Sequence, residues 1–293
     1  MTVKRWLKEN THSLSGKTVA ISGSTGGLGR KICQYLADLG ASFLLLDRNK
    51  ALSEAHREAL LSRNPNITVE CINVSLDDTD SVCAAAEELK KYPVDIFICN
   101  AGAYSIPRKV CKSGYDNVFQ INFVSHYMLI EALLPTLRER GGRVVAVGSV
   151  AHRYSRSDPH DVDFSTRRKA SLVYGNSKRY LMFVLAEKFK NETGIGFAVT
   201  HPGITFTNIT SHYPKPVFAL IKHPMKIIFP STDRACLSII RGVFEDTCGQ
   251  EWIGPALFDV WGMPKKKKLH SLKGRELEYF GKWRNENVKK GVS

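Results

Sequence analysis

Tyr174 and Lys178 stand four residues apart in a stretch patterned as a helix, so one face carries both. A free phenol, with a pKa of about 10, is a poor acid or base at neutral pH. An ammonium group beside it favours the phenolate and lowers that value, which would turn the pair into a proton carrier. Ser149 closes a β-rich run, where its hydroxyl could hold and polarise a substrate oxygen. Taken singly, each has an ordinary explanation: many helices pair a Tyr with a Lys, and a Ser after a strand is commonly a turn residue. The chemistry requires that they meet in one pocket.

The surrounding pattern provides a way for them to meet. Short β-rich runs at 17–22, 42–46, 67–74, 94–99, 143–147 and 196–200 alternate with helical patterns at 27–39, 51–62, 77–91, 112–138 and 171–191. The strands are continuous apolar runs, as in a parallel sheet buried on both faces. Repeated βα units with right-handed crossovers predict a doubly wound α/β sheet in a single domain. Its ligand lies outside the carboxyl ends of the strands. The expected division is an N-terminal extension (1–14), a dinucleotide-binding and catalytic domain (15–262), and a basic C-terminal tail (263–293).

The first strand runs into Ser22-Gly23-Ser24-Thr25-Gly26-Gly27-Leu28-Gly29. Glycines at a strand-to-helix turn let the backbone approach a pyrophosphate. The helix N-terminus then offers free N–H groups and a favourable dipole. The strand before it and the helix after it are the context that makes such a glycine trio informative.

With these residues assembled, the chain resembles the short-chain dehydrogenase/reductase family from residue 15 to about 207. The turn is similar to TGxxxGxG, with Ser22 in place of Thr. Cys99-Asn100-Ala101-Gly102 resembles NNAG, Tyr174 to Lys178 matches YxxxK, and Pro202-Gly203 with Thr205 and Thr207 resembles the segment that closes over a nicotinamide. The resemblance implies a Rossmann fold and a hydride-transferring oxidoreductase, a short-chain alcohol dehydrogenase or carbonyl reductase. Its catalytic tetrad would be Asn122, Ser149, Tyr174 and Lys178. Asn122 would hold a water linking Lys178 to solvent. NAD or NADP would bind at Gly23, Ser24, Thr25, Gly27, Leu28, Gly29, Asp47, Arg48, Asn73, Val74, Asn100, Ala101, Gly102, Tyr174, Lys178, Pro202, Gly203 and Thr205. The stretches 122–126 and 149–152, and the long polar segment 151–172, are similar to the retinol-dehydrogenase-like branch, although Ser125 departs from its glycine. Such families often assemble as homo-oligomers through the helices bearing Asn122 and Tyr174.

The cofactor signals conflict. Asp47, after the second strand, suits both hydroxyls of an adenine ribose and repels a 2′-phosphate. Arg48 could pair with that phosphate. The acid is the stricter filter, which favours NAD over NADP, whereas the branch resemblance leans to NADP. Asn73 stands where the family usually has an Asp at the adenine.

Composition bounds the remaining classes. Lys and Arg exceed Asp and Glu by 42 − 28 = 14 charges, with Lys265 to Lys268 in one block. A solvated basic surface accounts for this, and no nucleic-acid partner is expected: Tyr279, Phe280 and Trp283 lie near the tail lysines, as a single-strand binder would want, but an amphipathic docking helix explains them as well. The 7 cysteines show no CxxC pair, so neither a metal site nor a disulfide framework is expected and the chain reads as cytoplasmic. No secretory signal is visible, nor any run of about 18 apolar residues. The segment 205–230 is apolar around Val217–Ile221 and 225–229, and also carries Lys215, Lys222, His223 and Lys226. It predicts a hydrophobic substrate and peripheral contact with a membrane surface. The alternative from another class is a non-catalytic dinucleotide-binding sensor or scaffold, a reading that the intact tetrad opposes.

Overall fold

The computed structural model describes residues 1–203, 231–247, 251–269, 276, 278–281 and 283. Among them, an eight-stranded sheet runs in the order β3-β2-β1-β4-β5-β6-β7-β8. The strands are β1 (Thr18–Ser22), β2 (Ser42–Asp47), β3 (Val69–Asn73), β4 (Ile96–Cys99), β5 (Arg143–Val147), β6 (Gly196–Thr200), β7 (Glu251–Leu257) and β8 (Trp261–Lys268). All neighbours are parallel except β7 and β8, which form an antiparallel hairpin. The order reverses between β1 and β4, so a crevice opens at the carboxyl ends of these two strands.

Helices cover both faces. α1 (Val3–Asn10), α2 (Gly27–Asp38), α3 (Lys50–Arg63) and α4 (Thr79–Leu89) precede β4. A short α5 (Asn117–Phe119) leads through a π turn (Gln120–Val124) into α6 (Ser125–Glu139). A 3₁₀ turn (Val150–Tyr154) follows β5, then α7 (Ala170–Phe189), and α8 (Thr232–Ala235) and α9 (Leu237–Phe244) precede β7. One face buries Val82, Leu133, Tyr180 and Leu185 with the strands; the other buries Ile32, Leu36, Leu60 and Ile240. Neighbouring strand residues point to opposite faces, and both faces are covered, which is why the strands read as unbroken apolar runs.

The strands and helices expected before residue 200 are present, with ends shifted by a few residues. The one large difference is the expected helix at 112–138. It begins only at Asn117, because Asp116 caps it by accepting a hydrogen bond from the Val118 N–H at 3.0 Å. The boundary expected at residue 262 falls inside the β7–β8 hairpin, so the block Lys265 to Lys268 belongs to the sheet. Two of its four charges are spent inward: Lys266 pairs with Glu245 at 3.0 Å, and Lys267 pairs with Asp259. The N-terminal extension is also built in, with Trp6 and Leu14 buried among α2, β1 and β2 side chains. The apolar segment 205–230, with Thr205, lies outside the described residues.

Candidate active site

The turn after β1 is shaped for close backbone approach. Gly23 has φ +68°, and a Cβ there would sit 3.0 Å from the Ala101 Cα. A Cβ on Gly29 would lie 2.3 Å from the Gly23 carbonyl oxygen, so no other residue lets α2 start this close to β1. Side-chain caps satisfy the first N–H groups of α1, α3 and α4, through Thr2, Asn49 and Asp78. At α2 the cap residue is Gly26 and no side chain accepts. Gly27 and Leu28 therefore open a helix whose leading N–H groups face the crevice free for an anion. The glycine cradle and the uncapped helix fit the pyrophosphate of a dinucleotide.

β1 and β4 are locked together behind this turn. The Ser22 hydroxyl accepts hydrogen bonds from the Asn100 and Ala101 N–H groups, both at 3.0 Å, and lies 2.8 Å from His126 Nε2. It also lies 3.5 Å from the Ile98 carbonyl, to which it can donate. The His126 ring is buried and held neutral, its pKa pushed down to about 3 chiefly by burial. The Asn100 amide donates to the carbonyls of Ser22 (2.9 Å) and Gly23 (3.0 Å). The Ser in place of Thr thus keeps the bonds that matter.

The end of β2 is tied to the phosphate turn. Asp47 is buried, and its carboxylate accepts from the Ser24 hydroxyl, the Thr25 N–H (3.1 Å), the Thr25 hydroxyl (2.9 Å) and Ser53 (3.2 Å). It braces the phosphate turn. Arg48 is exposed beside it. Asn73, at the end of β3, donates its amide to the carbonyls of Asp47 (3.2 Å) and Arg48 (3.0 Å), and the Val74 N–H donates to Asp47 as well (3.1 Å). These contacts hold the β2 end in place.

The four polar groups expected to act together do converge. Asn122 sits in the π turn, fully buried; its carbonyl accepts from the Ala103 N–H (2.7 Å), and its amide donates to the Ala103 carbonyl (3.0 Å) and to Ser177 (2.8 Å). A π turn widens the helix by one residue and often marks a functional position. A Cβ on Gly102 would lie 3.3 Å from Asn122 Oδ1 and 3.4 Å from Lys178 Nζ, so the loop after β4 is pressed onto both. Lys178, on α7, donates to the Val147 carbonyl at 2.8 Å and lies 5.9 Å from the centre of the Tyr174 ring. The Ser149 hydroxyl accepts from the Ala151 N–H at 3.2 Å and stands on the Tyr174 phenol's side of the site, where it lowers the phenol's pKa. Pro202 and Gly203 follow β6; Gly203 has φ +80° and donates its N–H to His201 Nδ1 at 3.1 Å.

Burial dominates the electrostatics of the Tyr174–Lys178 pair. Burial pushes the Tyr174 phenol up to about 12, while the Ser149 hydroxyl pulls it back in part and Tyr104 adds to the rise. Burial also brings Lys178 down to about 8. The ammonium lies beside the ring and donates a hydrogen bond to the Val147 carbonyl. Two residues escaped the sequence reading. Tyr104 packs edge-on against Tyr174, with centroids 5.3 Å apart. Ser177 bridges Asn122 to the Tyr174 carbonyl, to which it donates at 2.8 Å. Ser177 lies inside YxxxK, so its neighbour Lys178 was the available signal; Tyr104 had none beyond following Gly102.

The comparisons with known proteins agree with this geometry. The family model described as short chain dehydrogenase matches residues 17–216. Short-chain dehydrogenase TIC 32 A, chloroplastic, from Brassica napus is 29% identical over 223 residues, 69% of this chain and 68% of that protein. Retinol dehydrogenase 12 from Mus musculus is 30% identical over 257 residues, 82% of this chain and 80% of that protein. The solved structure of an uncharacterised protein from Mycobacterium paratuberculosis superposes with a TM-score of 0.71 at 24% identity, covering 96% of this chain and 94% of that one. With its fold, its glycine turn and its matched span, the chain belongs to the short-chain dehydrogenase family of oxidoreductases and resembles the retinol-dehydrogenase-like branch.

Proposed function

We propose that this protein is an NAD(P)H-dependent carbonyl reductase or alcohol dehydrogenase for an apolar substrate, with Tyr174 as the proton carrier. The observation that carries the reading is the convergence of Ser149, Tyr174, Lys178 and Asn122 at the carboxyl ends of β4 and β5, beside an uncapped glycine turn. A bound nicotinamide supplies or accepts the hydride. Ser149 holds the substrate oxygen and stabilises charge developing on it. Tyr174, protonated throughout the neutral range, donates its phenolic proton to that oxygen. The Lys178 ammonium beside the phenol eases departure of that proton, and Asn122 keeps the loop after β4 in register. Cofactor contacts are assigned to the turn from Gly23 to Gly29, to Asn100, Ala101 and Gly102, and to Pro202 and Gly203. Burial of Asp47 among four donors leaves Arg48 as the exposed charge at the β2 end, which supports NADP where the sequence favoured NAD.

The apolar substrate rests on the composition of 205–230 and on the Tyr104 ring beside Tyr174. Six cysteines among the described residues are free thiols, which suits a reducing compartment such as the cytoplasm. Among the described residues no helix is long and apolar enough to cross a membrane. The test is a chain-length series of aliphatic aldehydes and alcohols with both nicotinamides, followed at the absorbance of the reduced ring. Catalytic efficiency rises with each added methylene up to the limit of the pocket. Tyr174→Phe retains cofactor binding and loses about 10²–10⁴-fold in turnover. A flat series overturns the apolar reading alone, whereas full turnover in Tyr174→Phe overturns the catalytic assignment.

A further inference from the structure

Ser149 sits at the start of the 3₁₀ turn Val150–Tyr154, and that turn is held from behind by the C-terminal segment. His152 Nδ1 lies 2.7 Å from the Ser149 carbonyl oxygen, and because a carbonyl only accepts, the ring nitrogen is the donor. The His152 carbonyl in turn accepts from Arg179 Nη1 at 3.0 Å. Arg179 is the residue after Lys178 on α7 and is buried. Its other terminal nitrogen, Nη2, donates to Glu276 Oε1 at 2.6 Å, and Glu276 also accepts from the Ser157 N–H at 3.1 Å. The Glu276 side chain is 12% exposed and that of Arg179 is 9% exposed, so this ion pair is shielded from water.

The segment carrying Glu276 is anchored by its aromatics. Phe280 and Trp283 are buried against α6, α7 and the π turn. Trp283 packs on Phe123 and Tyr127, with ring centroids 4.5 and 5.2 Å apart, and donates its indole N–H to Tyr115 at 3.1 Å. Phe280 packs on Tyr180 at 4.9 Å. The Glu276 carboxylate is itself held by its bonds from Arg179 and the Ser157 N–H.

We propose that Glu276 is a positioning residue for Ser149, acting through Arg179 and the 3₁₀ turn, so that the C-terminal segment completes the active site from outside it. Glu276 touches neither Ser149 nor Tyr174. Its charge orients the Arg179 fork, one prong of which pins the His152 carbonyl while His152 pins the Ser149 carbonyl. Removing Glu276 leaves a buried guanidinium without its counter-charge and frees the turn to shift. A misplacement of about 1 Å at a reacting group can cost about 10²-fold in rate. The proposal rests on the role given to Ser149 above.

The test is a double-mutant cycle in the full chain, with Glu276→Ala and Ser149→Ala, assayed with the best alkanal of the chain-length series. Glu276→Ala lowers kcat by about 10–10²-fold. Cofactor affinity, read from the fluorescence of the reduced nicotinamide, stays within about twofold, because no cofactor contact is assigned to this network. In the Ser149→Ala background the same substitution costs little more, since a residue acting through Ser149 has nothing left to position. Glu276→Gln, which keeps an acceptor for Arg179 and the Ser157 N–H, recovers much of the turnover and serves as the variant if Glu276→Ala does not fold. Equal losses in both backgrounds, or turnover unchanged in both Glu276 variants, overturn the proposal. Unchanged turnover in Ser149→Ala itself overturns the catalytic reading, and this proposal with it.

Discussion

At the scale of single residues, burial sets both partners of the Tyr174–Lys178 pair: it raises the phenol to about 12 and lowers the lysine to about 8. This suits proton donation, the direction of carbonyl reduction. The sign is explicit: Lys178 is charged below about pH 8 and neutral above it. Reductive turnover should therefore decline on the alkaline side with a midpoint of about 8, with no separate limb from Tyr174 below pH 10. A profile flat through pH 9 would separate Lys178 from the proton step. Cofactor choice is also decided by single residues. Arg48→Ala should raise the Kd for NADPH about tenfold with a smaller change for NADH, since a charge-assisted contact to the 2′-phosphate is lost. Asp47→Ala should weaken both cofactors, because it unbraces Ser24 and Thr25. Selective gain of NADPH binding in Asp47→Ala would restore the ribose-acid reading.

At the scale of elements, the site depends on how closely α7 approaches the 3₁₀ turn after β5. Gly175 follows Tyr174, and a Cβ there would lie 2.4 Å from the Ala151 carbonyl oxygen and 2.7 Å from the Ser155 hydroxyl. The first of these is backbone and cannot swing aside. Gly175→Ala should therefore push α7 and the turn apart, costing about 1–3 kcal/mol of stability. Turnover should fall by more than that stability loss alone explains, because Ser149 opens the turn on one side of the seam and Tyr174 lies on α7 at the other. Thermal unfolding alongside kcat separates the two effects. If the variant melts lower yet turns over normally, the seam is structural only. The π turn is a second such device. It sets Asn122 where the loop after β4 and α7 can both reach its amide, which a regular helical turn would displace by a residue.

At the scale of the whole molecule, buried neutral histidines make folding sensitive to acid. Burial holds His126 at about 3 and His152 at about 4, both below the ordinary 6.5. An unfolded chain takes up these protons as pH falls below about 6.5, and the folded one resists until far lower. Stability is thus full above about pH 6.5 and drains as pH falls towards 4, by an amount on the order of a few kcal/mol. The melting temperature should drop steeply between pH 6.5 and 4, and less so in His152→Gln, which cannot take up that proton. A melting temperature that is constant over this interval would mean that water reaches these rings. The paired carboxylates, such as Asp95 between Lys17 and Arg140, lose stability in the same direction at lower pH.

The alternation of strands and helices to residue 200 and the glycine turn were legible because period and composition are local properties. A strand buried on both faces must be apolar throughout, and a backbone that approaches a phosphate must be glycine. The convergence of Asn122, Ser149, Tyr174 and Lys178 was legible through their places at strand ends and helix turns. What lay beyond the sequence was every property that depends on neighbours distant in the chain. The bonds of Asp47 to Ser24, Thr25 and Ser53 were not readable, because they depend on the approach of the turn and of α3 to the end of β2. The β7–β8 hairpin was hidden because four lysines read as a solvated tail; the strand forms by pairing with β7, and Glu245 and Asp259 take up two of the charges. The shifts of Tyr174 and Lys178 follow from how much water the packed loops exclude, and the hold of Glu276 on the Ser149 turn from bonds spanning 97 and 119 residues of sequence. Such quantities are set by tertiary packing, because desolvation and pairing energies depend on what surrounds a group in space.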